Sequence, residues 1–330
     1  MSKLDQLWKR GTDLLGCKYA ILGGAMSWVS ERNLVSAISN AGGFGVIAAS
    51  AMSPELLDRE IKETQKLARA PFGVNLITMH PQLEQLIEVC GNNKVTHVVF
   101  AGGIPKDTAI KKAKEFSKVI CFAPALVLAK KLIRSGADGL VIEGNEAGGH
   151  IGPVSTSVLA QEILPNIKEV PVFVAGGIGR GEAIANYLLM GASGVQLGTK
   201  FVCAHESIAH ANFKKLFIKS AARDAGVSVQ IASDFPVIPV RAIENKATEE
   251  FRRCQEDTIA DYRAGKLSKE EAQLKIEHFW AGALRRAVID GDIERGSVMA
   301  GQSVGMVTKE QSCAEIIAEL VAQAETQLKA

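Results

Sequence analysis

The ten residues Glu143-Gly144-Asn145-Glu146-Ala147-Gly148-Gly149-His150-Ile151-Gly152 hold two carboxylates and one imidazole among four glycines. Imidazole changes charge near neutral pH, so His150 is suited to move a proton. Glycines let backbone N–H groups approach a planar or anionic ligand closely. A second group of candidates lies downstream in Ala175-Gly176-Gly177-Ile178-Gly179 and Gln196-Leu197-Gly198-Thr199-Lys200-Phe201. Two such loops side by side make a cup of backbone donors for a phosphate, and Thr199 adds a hydroxyl. Gly23-Gly24-Ala25-Met26-Ser27-Trp28 offers small residues against which a flat ring can lie. Met26 and Trp28 are equally readable as core packing. Asn75 places an amide among apolar neighbours, where it needs partners or binds the edge of a ligand.

These groups need one scaffold. Eight short apolar runs occur in order, at 19–22, 45–48, 72–76, 97–101, 119–123, 139–142, 172–175 and 194–197. Each candidate loop follows one of them. Their separation of about 20 to 30 residues is what a strand plus a crossover helix requires. Helical periodicity is expected over 108–116, 126–135 and 181–190. Ser30 is read as the N-cap of a further helix that ends at Ala41-Gly42-Gly43. The spacing predicts an α/β fold, a (β/α)₈ barrel. An open doubly wound sheet is the competing reading. The barrel is preferred because the runs number eight and the phosphate signals follow the last two. From 209 to 273 the chain turns polar and helical, with no buried strand evident and amphipathic helices over 248–262 and 268–279. It then returns to the barrel with helices over 282–289 and 311–328. The expected organisation is a barrel of residues 1–208 and 282–330, with a small helical cap, 209–281, inserted after strand eight on the substrate side.

Bulk composition narrows the function classes. Lys plus Arg is 38 and Asp plus Glu is 36, a net charge of +2, with only 5% aromatic residues. That balance argues against a nucleic-acid partner. The six cysteines form no CxxC pair, which suits free thiols in a reducing cytoplasm. The opening residues are charged rather than those of a signal peptide, and no apolar run reaches the roughly 18 residues of a membrane span. No His, Cys and carboxylate set has zinc-ligand spacing, so no metal is expected. His97 falls at the inactive end of strand four. His205 and His210 line the mouth or cap a helix.

Taken together, these residues resemble the nitronate monooxygenase family, formerly the 2-nitropropane dioxygenases, which includes the flavin-dependent enoyl-acyl-carrier-protein reductase II. The likeness spans nearly the whole chain. It is carried by Gly24-Ala25-Met26-Ser27-Trp28-Val29, Ala41-Gly42-Gly43, Pro71-Phe72-Gly73-Val74-Asn75, Gly136-Ala137-Asp138, Glu146-Ala147-Gly148-Gly149-His150-Ile151-Gly152, Ala175-Gly176-Gly177-Ile178 and Gln196-Leu197-Gly198-Thr199-Lys200-Phe201. The motif around His150 is the specific one. The resemblance implies non-covalent FMN, with NAD(P)H as co-substrate. Gly176, Gly177, Gly198 and Thr199 would hold the phosphate. Gly24, Ala25, Met26 and Asn75 would meet the ring and ribityl chain. Glu143, Gly148, Gly149 and Gln196 would complete the cofactor site, and His150 would be the catalytic or substrate-contacting residue. The stretches 291–302 and 204–210 look more like the reductase branch. Two departures bear on substrate rather than on flavin. The family's Gln-Gly-Gly-Met is Gly23-Gly24-Ala25-Met26 here, and Ile104 stands where reductases tend to carry asparagine. The implied substrate is a small molecule or an acyl-carrier-linked thioester. A nitronate, a quinone and a non-catalytic flavin barrel are the alternatives, and a homodimer is left open.

Overall fold

The computed structural model describes residues 2–329, apart from 233, 234 and 236 and the side chains of Glu277 and Ala281. Eight parallel strands form the expected barrel: Ile21–Gly23, Val46–Ala48, Gly73–Ile77, His97–Ala101, Lys118–Phe122, Gly139–Glu143, Val172–Ala175 and Gly194–Leu197. Strands two to eight each pair with their sequence neighbour, and strand one pairs with strand eight. The ring closes between strands one and two. There Phe44 N donates to Ile21 O at 2.9 Å and Gly23 N to Phe44 O at 2.9 Å. Runs such as Val172-Phe173-Val174-Ala175 are buried at every position, because side chains facing in and out of a barrel are both covered. Hence continuous apolar runs, rather than alternation, marked the strands.

The outer helices follow from amphipathic spacing and local caps. Pro54–Leu67 buries Leu57, Ile61 and Thr64 and is capped by Ser53, which accepts from Leu56 N. Leu126–Ser135 stops at Gly136, whose φ of 108° is a left-handed position suited to glycine. The helix Arg32–Asn40 differs from expectation. Its N-cap is Glu31, whose carboxylate accepts from Asn33 N and Leu34 N, not Ser30. Ser30 is drawn into the preceding loop, where its hydroxyl donates to Gly24 O and accepts from Met26 N.

The insert after strand eight is not wholly helical. A small antiparallel sheet joins Ala225–Val227, Val240–Ile243 and Val298–Met299, and takes Gly149–His150 from the barrel as its fourth piece. The two cap helices are Lys246–Arg263 and Lys269–Val288. Their cap core contains Phe235, Val240, Phe251, Ile259, Ile276 and Trp280. The 209–281 boundary is also softened at both ends. Helix Ala211–Lys219 sends Phe213 and Phe217 into the barrel core, and helix Lys269–Val288 runs unbroken through 281/282, with Leu284, Ala287 and Val288 in the barrel core. No described helix is long and apolar enough to cross a membrane.

Candidate active site at the barrel mouth

The loops that carry the candidate residues all leave the C-terminal ends of barrel strands, so the fold brings them to one rim. The loop after strand six is pinned by Glu146. Its Oε2 accepts from Thr156 N and Thr156 Oγ1, both at 2.8 Å, which ties the loop to the start of helix Thr156–Ile163. Glu146 O accepts from Gln302 N at 2.9 Å. Gly148 must be glycine because a Cβ there would sit 2.5 Å from Gly301 N. Glu146 is therefore a fixed structural acceptor.

Gly176 and Gly177 have φ of 95° and 72°, which only glycine adopts without strain. Across from them, Gly198 precedes the single turn Thr199–Val202. Among the described residues, nothing accepts a hydrogen bond from the backbone N–H groups of Gly176, Gly177, Gly198 or Thr199. Thr199 Oγ1 accepts from Gly301 N at 3.0 Å, which leaves its O–H free to donate. Unspent donors on two adjacent loops are what an anionic oxygen cluster requires.

The first loop adjoins this cup. Gly24 N donates to Leu197 O at 2.8 Å, and a Cβ on Gly24 would lie 3.4 Å from Gly198 Cα. Ala25 and Met26 are half-buried beside it, with Met26 Sδ 3.4 Å from the place of a Gly198 Cβ. Trp28 holds a left-handed φ of 67°, and its ring lies 5.8 Å from the Arg285 guanidinium of the cap helix. Asn75 is buried within strand three, and its amide donates to Val99 O at 3.4 Å, a long bond. Gln196 is buried, and its side-chain amide meets no partner among the described residues.

Glu143 ends strand six. It is half-buried at the C-terminal end of that strand. It has no ion pair or hydrogen-bond partner among the described residues, and burial pushes its carboxyl up to about 8. Burial thus favours the protonated carboxyl, the form that can donate a hydrogen bond. The raised value also carries a stability term: it is fully present below the ordinary value of 4.5 and lost as pH rises through about 8.

His150 is exposed, and its backbone is set by the cap. It pairs with Val240, Gly149 pairs with Arg241, and Ile151 N donates to Pro239 O at 3.0 Å. Residues opposite one another in an antiparallel ladder share a face, so His150, Val240, Ala242 and Met299 lie on one side of the small sheet. Two residues absent from the sequence-based expectation thus belong to the neighbourhood, Met299 and Arg241. Neither stands out in the sequence, because each sits in a strand of two to four residues. Two other histidines serve the fold. His97 is buried, with Nε2 2.8 Å from Leu14 O, and His210 accepts from Asn212 N to cap a helix. All six cysteines are free, and burial pushes Cys17, Cys90, Cys121 and Cys203 up to about 12, so these four offer no thiolate nucleophile. Among the described residues no group of three His, Cys, Asp or Glu could hold a metal.

Comparison with known proteins agrees with this geometry. The family model described as nitronate monooxygenase matches residues 9–87 and 82–323. A probable nitronate monooxygenase of Staphylococcus saprophyticus is 30% identical, covering 86% of this chain and 94% of its own. The (3aS,4S,5R,7aS)-5-hydroxy-7a-methyl-1-oxo-octahydro-1H-indene-4-carboxyl-CoA dehydrogenase of Mycobacterium tuberculosis is 28% identical over 96% of each. Among solved structures, FabK from Thermotoga maritima superposes with a TM-score of 0.86 at 34% identity, over 97% of both chains. A glycine-lined barrel mouth with one histidine, matched along nearly its whole length, makes this chain an oxidoreductase enzyme belonging to the nitronate monooxygenase family.

Proposed function

We propose that the barrel mouth binds FMN without a covalent link and that the enzyme reduces the activated C=C of an enoyl thioester at the expense of NAD(P)H. The observation that carries the cofactor is the set of unspent N–H donors at Gly176, Gly177, Gly198 and Thr199, the donor chemistry that a terminal phosphate requires. The residues fit the rest of the group. Gly24, Ala25 and Met26 offer the small, half-buried wall a flat ring needs, and Asn75, Gln196 and Glu143 offer polar atoms poorly matched by protein. Gly148 and Gly149 let the sixth loop approach. Bound there, FMN supplies the route by which hydride passes from NAD(P)H to an acceptor. The chain's own groups bind, orient and handle protons. Glu143, in its protonated form, would donate a hydrogen bond to the bound group. His150 holds the proton that the second carbon of the reduced bond requires.

The thioester reading rests on two supports. The stretch 291–302, which resembles the reductase branch, lies across the site: Gly301 N reaches Thr199, Gln302 N reaches Glu146, and Met299 joins the sheet that holds His150. The relative from Mycobacterium tuberculosis acts by name on a CoA thioester. A nitronate with O₂ is the second reading, favoured by the names of the staphylococcal relatives. A small-molecule or carrier-linked substrate and a cytoplasmic setting go with the first.

Anaerobic rapid mixing separates the two readings. NADH or NADPH should bleach the flavin, and crotonyl-CoA should restore its colour without oxygen. Bleaching by propyl-2-nitronate but not by either nicotinamide would overturn the reductase reading. A further expectation concerns Glu143: FMN affinity should fall as pH rises through about 8, because the ionised carboxylate no longer donates. Glu143→Gln, which keeps a donor at every pH, should flatten that fall. A titration equally steep in both proteins would remove Glu143 from the ring contact.

A further inference from the structure

We propose that Arg241 is a positioning residue for His150: its guanidinium clamps the sixth-strand loop to the cap sheet and so fixes the histidine above the barrel mouth. This inference extends the proposed reaction, in which His150 handles the proton. Arg241 is 7% exposed, a rare setting for a charged side chain. Its Nε donates to Asn145 O at 2.9 Å, and its Nη1 donates to Ala225 O. The first acceptor lies in the catalytic loop and the second in the cap, so one fork bridges the two. The same residue pairs through its backbone with Gly149, and its neighbour Val240 pairs with His150. No carboxylate among the described residues touches the guanidinium. Glu146 favours its charge from a distance, and that carboxylate is already committed to Thr156.

A buried, unpaired charge is costly unless its hydrogen bonds are well placed. A structural filler at this site would be better served by an apolar side chain. The position makes sense where both carbonyls must be held in one geometry, as a planar fork does and an ammonium does not. Glycines at 144, 148 and 149 leave the loop little rigidity of its own, which is why an outside clamp is needed.

The test uses the full-length holoenzyme with Arg241→Met and Arg241→Lys, alone and combined with His150→Ala. Two readouts are taken. First, backbone amide exchange at Ile151, whose N–H crosses the ladder to Pro239 O, should speed up by about tenfold or more in Arg241→Met, since a charge-assisted bond is lost, while Val174 and Val195 in the barrel stay as protected as in wild type. Second, turnover of crotonyl-CoA with NADH, or of propyl-2-nitronate with O₂ if that is what the wild type accepts, should fall by about tenfold or more in Arg241→Met. In the His150→Ala background the same change should cost no more than about twofold, because the clamp then holds nothing that reacts. If Arg241→Met does not accumulate as folded protein, Arg241→Lys carries the same cycle, with smaller losses in the same pattern. Unchanged exchange at Ile151 would overturn the clamp, and that readout is independent of which substrate is used. Losses that multiply fully in the double variant would show a role that does not pass through His150, and would also overturn it.

Discussion

His150→Ala is expected to retain FMN and to lose about 10²–10⁴-fold in turnover, the usual cost of removing a general acid or base. The side chain is exposed, so truncation leaves no internal cavity. The backbone at 150 stays in place through its pairing with Val240 and the bond from Ile151 N to Pro239 O. The fold and the phosphate cup should therefore survive. Hydride transfer from NAD(P)H to the flavin needs no protein proton donor, so that half-reaction should be spared relative to the second. Glu146 will not substitute, since both of its contacts to Thr156 hold the loop together. Normal turnover by the variant, measured beside its flavin content, would move the proton to another group and make His150 structural.

Gly177→Asp is expected to yield protein without cofactor. Aspartate tolerates a left-handed φ better than most residues, so the backbone at 72° is not the main obstacle. The obstacle is charge. A carboxylate beside the free donors of Gly176, Gly198 and Thr199 would compete for them and repel a phosphate, lowering affinity by roughly 100-fold or more when desolvated. Gly177→Asn has the same shape without the charge and isolates this term. It carries only the crowding of a Cβ placed 3.0 Å from Glu146 Cβ. Flavin absorbance per chain should rank wild type, then Gly177→Asn, then Gly177→Asp near zero. Equal loss in both variants would mean that space, not phosphate charge, governs the position.

The barrel was legible because each strand is a continuous apolar run that ends in glycine or polar residues, and the eight observed strands fall close to the runs. The loops of the mouth were legible for the same reason, since glycines stand where the backbone takes φ of 95° and 72° or passes 2.5 Å from a would-be Cβ. Two kinds of feature were not. Ser30 has the residue type of a cap, but tertiary demand from Gly24 and Met26 claimed its hydroxyl, and Glu31 took the role. The cap sheet was hidden because its pieces are two to four residues long and pair across large separations, His150 with Val240 and Ala242 with Met299. Such strands have no periodicity of their own to read. Arg241 and Met299 become visible only when those pairings are known.

We propose a flavin mononucleotide site at the barrel mouth. Heat-denaturing the purified wild-type protein and weighing what it releases tests this most directly. FMN, close to one per chain, is the expected result; FAD, or no flavin in protein that remains folded, would contradict the account.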